Sequence, residues 1–150
     1  MISMKSHTHA VLSFAAALAA CSTPAPVAGL PFDTQQLSGW WSDSASTSQA
    51  CTKENPRIRY QFDPDGKRVT LLFDRKWDTE IGESDKFGAT VLSSTERTLV
   101  IQYDNESRKD DAGKPIQWEL VIVAPGVYRW RATAWPPGAV NVVVGVRCSA

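Results

Sequence analysis

Few residues of this 150-residue chain have types and spacings that could do chemistry, and most of them point away from catalysis. The two histidines, His7 and His9, lie before an apolar run from Ala10 to Ala20. The three cysteines are Cys21, directly after Leu18-Ala19-Ala20, Cys51 in a polar stretch, and Cys148 near the end. No Cys-x-x-Cys spacing is present, so a redox-active pair is not expected. Asp63-x-Asp65-Gly66 begins like a calcium loop, but the bidentate Glu expected further on is missing, and a hairpin turn accounts for it. Asp78, Glu80, Glu83 and Asp85 read as a solvated acidic loop, and Asp110 and Asp111 flank a turn. Neither a Gly-x-Ser-x-Gly or Ser-x-x-Lys nucleophile motif nor a glycine-rich phosphate loop occurs. Arg129 and Arg131 alternate with Tyr128 and Trp130, as Arg57 and Arg59 alternate with Ile58 and Tyr60. Such arginines either snorkel over apolar neighbours on an outer face or clamp an anion. Arg129, Arg131, Trp118 and Trp130 are the candidate ligand-binding residues. No metal site or cofactor is expected.

The first twenty residues explain where several of these groups belong. A start carrying Lys5, then the apolar run, then small residues is the layout of a secretory signal. The run is too short to span a bilayer, which takes about 20 apolar residues. With cysteine immediately after Leu18-Ala19-Ala20, the segment resembles the lipobox of bacterial lipoproteins. That resemblance implies that Cys21 becomes the lipidated first residue of the mature chain. It also implies an outer-membrane anchor facing the periplasm, since no Asp follows the cysteine. An ordinary cleavable signal, cut after Ala-x-Ala and releasing a secreted soluble protein, is the alternative.

The expected organisation is a signal peptide at 1–20, a lipidated cysteine and flexible tether at 21–35, and one domain at 36–150. Removing 20 residues leaves 130, enough for a real core. Lys5 leaves with the signal, so 15 basic and 16 acidic residues remain, a balance that gives no reason to expect nucleic acid. Both histidines leave as well. Histidine-dependent nucleophilic catalysis, histidine general-base chemistry and histidine-ligated metals are thereby excluded. With Cys21 acylated, Cys51 and Cys148 remain as a pair in an oxidising compartment and are expected to form a disulfide, two unpaired buried thiols being the alternative.

The elements that must position these residues are strands. Ile58, Tyr60 and Phe62 alternate with polar residues, and Asp63-Pro64-Asp65-Gly66 then makes a tight turn. Val69, Leu71 and Phe73 carry the chain back, before a charged loop over 74–86. Further alternation runs through Phe87–Val91, Leu99–Tyr103, Ile116–Ile122 and Val127–Ala132. Val140, Val142, Val144, Val146 and Cys148 predict a last strand whose valines face the core. With the segment at Gly39 this makes eight strands and no convincing helix. The fold class predicted is all-β, an eight-stranded antiparallel up-and-down barrel that leaves no exposed edges, with two stacked sheets as the alternative.

Gly39-Trp40-Trp41 resembles the Gly-x-Trp that opens the first strand of lipocalin-like barrels. In that family the tryptophan packs at the closed end against an arginine of the last strand, which implies the role for Arg147 here. In outline the chain is also similar to small disulfide-tied barrel lipoproteins that inhibit lysozyme, although their Ser-Gly-x-x-Tyr loop is absent. The leading expectation is a non-catalytic envelope lipoprotein. It would be anchored to the membrane by lipid and bind a small apolar or anionic ligand or an envelope protein. A periplasmic inhibitor of a wall-degrading enzyme and, last, a carboxylate-dependent hydrolase are the alternatives.

Overall fold

The computed structural model describes residues 31–44 and 49–149. Cys21, the signal and most of the tether lie outside the described residues. A 3₁₀ turn, Thr34–Leu37, leads into eight strands. They are β1 (Trp41–Ser44), β2 (Arg57–Phe62), β3 (Arg68–Thr79), β4 (Gly82–Ser94), β5 (Thr98–Tyr103), β6 (Trp118–Ala124), β7 (Val127–Ala132) and β8 (Val144–Arg147). Each pairs antiparallel with its sequence neighbour and β8 returns to β1, closing an up-and-down barrel. The alternative of two stacked sheets is thus set aside.

Period-two alternation decides the inside. Ile58, Val69, Leu71, Phe87, Ala89, Leu99, Ile101, Leu120 and Tyr128 all point inward and are buried. The predicted turn after β2 is present: the Gly66 amide donates to the Asp63 carbonyl at 2.9 Å and Gly66 takes φ 68°. Phe32 and Leu37 are buried too, so packing begins within the segment expected to be tether.

One end of the barrel is shut. Trp41 is fully buried and donates its indole N–H to the Leu37 carbonyl at 3.1 Å. The Arg147 guanidinium sits 5.0 Å from the Trp41 ring and donates to the Gln36 carbonyl at 2.5 Å. Gln36 in turn donates to the Glu96 carbonyl at 2.9 Å, tying the 3₁₀ turn across the barrel floor.

Two expectations are corrected. The charged segment 74–86 is not a loop but the outer half of the β3–β4 hairpin, paired through Trp77↔Ser84, Asp78↔Glu83 and Thr79↔Gly82. A register shift after Leu72 carries this ribbon beyond the barrel. Solvent reaches both of its faces there, so it has no apolar alternation to be read. The last strand also presents to the core the face opposite to the one its valines predict. Val142 is 76% exposed, while Gly145 is buried and points inward beneath the Tyr128 ring. Val144 and Val146 therefore lie on the outer wall, and so does Cys148.

Cys51 and Cys148 stand at disulfide distance, with Cα atoms 5.5 Å apart. Cys51 also approaches the Val146 carbonyl, so the bond straps the polar loop to the outside of β8 rather than over the core. Ser42 points outward opposite Val146 and is nonetheless fully buried. Reduction is expected to lower stability by about 2–5 kcal/mol, and to release residues 49–56 to hydrogen exchange before any strand opens. Exchange rates for that loop that do not respond to reductant would overturn this.

Candidate functional site

The end opposite Trp41 is open. There the barrel encloses a cavity of about 490 Å³, and a second lobe of about 380 Å³ shares Asp43, Phe73, Thr79, Tyr103, Trp130 and Val143 with it. Each side chain arrives by the strand period. Asp43 follows Trp41 by two residues on β1 and so points inward. Tyr103 ends the inward row of β5, Trp118 opens that of β6, and Trp130 continues that of β7.

Asp43 is the floor of the site. The Tyr60 hydroxyl donates to the Tyr128 hydroxyl at 2.8 Å, and Tyr128 donates to Asp43 Oδ1 at 2.5 Å. Burial pushes the Asp43 carboxyl up from 3.8 to about 6, only partly offset by the Tyr128 hydrogen bond. Burial, and then the neighbouring Asp43 charge, raise the phenols of Tyr60, Tyr103 and Tyr128 above the ordinary tyrosine value.

Because its folded-state pKa lies above the ordinary value, Asp43 binds its proton more tightly in the fold than in the unfolded chain. Its contribution to stability is full below pH 3.8 and is lost as the pH rises through about 6. Asp43→Asn keeps an acceptor for Tyr128 and removes the charge. The stability difference between variant and wild type is expected to grow from pH 4 to 6, reaching about 1–2 kcal/mol in the variant's favour at pH 7. Denaturant titrations across that range measure it, and a flat difference would overturn it.

The rim is built on Arg108, in the loop between β5 and β6. Its Nε and Nη2 donate to the two Glu106 carboxylate oxygens, each at 2.7 Å, and its Nη1 donates to Glu80 at 2.6 Å. The guanidinium also lies 4.9 Å from the Trp118 ring, whose N–H donates to Glu106 at 3.0 Å. Burial alone would push the Glu106 carboxyl up, but the bonds from Arg108 and Trp118 hold it below its usual range. Hydrogen bonds to Glu106 raise the Arg108 pKa. Glu80 comes from the tip of the β3–β4 ribbon, whose Ile81 carbonyl accepts from Asn105 at 2.5 Å. These bonds draw the ribbon tip over the mouth.

Of the residues singled out from the sequence, Trp118 and Trp130 line the cavity. Arg129 and Arg131 do not. They alternate outward on β7, where Arg129 donates to the Asn141 carbonyl at 3.3 Å and Arg131 to the Trp135 carbonyl at 2.9 Å, with Glu119 3.6 Å from Arg131. Arg57 is outside as well, paired with Asp74 at 3.0 Å. Gly39, Trp41 and Arg147 belong to the closed end, and Cys51 and Cys148 to the outer wall. Asp43, Tyr103, Arg108 and Glu106 were not anticipated as site residues. For Asp43 the signal was available: once Trp41 faces inward, the residue two places on must do so too.

Among the described residues, no cluster of three histidine, cysteine, aspartate or glutamate side chains is placed to hold a metal. No protein-family model, curated protein or solved structure matches this chain.

Proposed function

We propose that this chain is a non-catalytic, membrane-anchored envelope lipoprotein whose barrel holds a small ligand in its open mouth. The observation that carries the reading is the cavity of about 490 Å³, walled by aromatic side chains, onto which a few polar groups converge. Its size falls within the roughly 300–1,000 Å³ usual for ligand sites, and an apolar lining with sparse polar anchors is their usual character. Asp43 and Tyr103 are such anchors. The anchor to the membrane rests on Leu18-Ala19-Ala20-Cys21.

Native mass spectrometry of protein purified without denaturation tests the carrier. A retained mass that disappears on unfolding supports it. A bare chain that no small molecule from a library varied in size and charge can load overturns it. Cys21→Ala is expected to move the protein from the membrane fraction to the soluble one without changing its melting temperature, since a single acyl chain contributes roughly 0.8 kcal/mol per buried methylene. A variant that still resists salt and carbonate extraction places the anchor elsewhere.

A further inference from the structure

The ligand's charge can be read from what the cavity walls have already spent. Among the described residues, Arg108 is the only cationic side chain lining the larger lobe. All three of its guanidinium nitrogens are committed to Glu106 and Glu80, and its face to Trp118. The Glu106 side chain is only 1% exposed. An anion that captured Arg108 would leave this carboxylate buried and unpaired, a loss of the kind that costs several kcal/mol. Among the described residues, the cavity and its support therefore hold three carboxyl groups, Asp43, Glu80 and Glu106, against one guanidinium.

Asp43 has the opposite character. Its carboxyl faces both lobes and is met by Tyr128, with no cationic partner among the described residues. A carboxylate sunk in the cavity and met, among the described residues, by a neutral donor favours a counter-charge. The rings around it offer the second half of a cation site. Cations are drawn to aromatic faces, most strongly to tryptophan. The chain already uses this with its own arginines, placing Arg57 on Trp40, Arg108 on Trp118 and Arg147 on Trp41. Trp130 lines both lobes beside Asp43 and Tyr103, and no arginine or lysine is placed over it among the described residues.

We propose that the cavity takes a small organic cation, an amine or quaternary ammonium compound, with its charge between the Asp43 carboxylate and the rings of Trp130 and Tyr103. This rests on the carrier reading and gives it a ligand class. The apolar part of such a ligand would lie against Phe73 and Phe87, which pack edge-to-face at 5.5 Å on the opposite wall.

Three probes of nearly one shape separate charge from size: benzyltrimethylammonium, its neutral isostere neopentylbenzene, and benzylsulfonate. Each is titrated by calorimetry into the full-length protein at pH 7.5. The cation is expected to bind at least about tenfold more tightly than the neutral isostere, and benzylsulfonate to bind more weakly than either. Asp43→Asn is expected to erase the advantage of the cation over neopentylbenzene, since the charge is what it removes. Wild-type protein that binds the neutral isostere as tightly as the cation, or prefers benzylsulfonate, overturns the inference while leaving a carrier. Absence of cation binding overturns it too. The carrier falls with it only if native mass spectrometry also finds no retained or loadable molecule. If the variant does not fold, the charge series on the wild type decides alone.

Discussion

Gly145→Ala is expected to be the most damaging single-methyl change in the barrel, costing about 3–5 kcal/mol. Gly145 lies between Asp43 of β1 and Tyr128 of β7 in the ladder, at the point where the last strand closes on the first. A methyl group on its inner side would stand 2.0 Å from both Cε2 and Cζ of Tyr128. Atoms cannot share that space, and Tyr128 has little room to leave. It is fully buried, its hydroxyl is held by Asp43 and Tyr60, and its ring packs 5.0 Å from Trp41. Overpacking alone costs about 1–3 kcal/mol, and a displaced Tyr128 adds the loss of two buried hydrogen bonds. The neighbouring Val144 points outward and is only half-buried, so Val144→Ala is expected to cost no more than about 1 kcal/mol. Denaturant midpoints of the two variants make the comparison. Equal midpoints would falsify the inward placement of Gly145.

Trp41→Ala is expected to cost about 3–5 kcal/mol by the opposite route, a void rather than a clash. Trp41 is 0% exposed and is the largest side chain in the floor of the barrel. Removing it strands the Leu37 carbonyl that its N–H satisfies and the Arg147 guanidinium that lies on its face. The 3₁₀ turn loses what it packs against, so loosening should reach Thr34–Leu37 first. Trp77→Ala is the control, because that ring is 39% exposed on the outer ribbon. Its melting temperature should stay close to that of the wild type while Trp41→Ala falls well below it.

The parts of the fold legible in the sequence were those where one face meets the core and the other meets water. Ile58, Tyr60 and Phe62, or Tyr128, Trp130 and Ala132, announce both the strand and its inner side. Asp63-Pro64-Asp65-Gly66 announces the turn between its neighbours. The β3–β4 ribbon is not legible because both of its faces are wet, and Lys76, Asp78, Glu83 and Asp85 then carry no period. The inner face of β8 is not legible, because four alternating valines look like a core row. The deciding fact lies in another strand: Tyr128 fills the interior opposite, and only a residue without Cβ fits beneath it. The site was less legible than the fold. Arg129 and Arg131 are candidate ligand residues by type, but their alternation with aromatics leaves both an outer face and a clamp open, and it sends them outward once Tyr128 and Trp130 face in. Arg108 and Glu106 reach the mouth from an irregular loop, where no periodicity marks direction.

The closing pair has a consequence for how this chain comes to exist at all. Trp41 and Arg147 are ladder partners although nearly the whole domain separates them in sequence. Every other strand pair joins neighbours along the chain, so β2 through β7 can assemble in order. Until the last strand is available, that intermediate is an open sheet with two unpaired edges. Such edges invite pairing with other chains, and contacts that span long loops form slowly. Cells producing a version truncated before Val144 should therefore accumulate aggregated rather than merely weakened protein. The hazard is greatest in the interval between the arrival of β7 and that of β8.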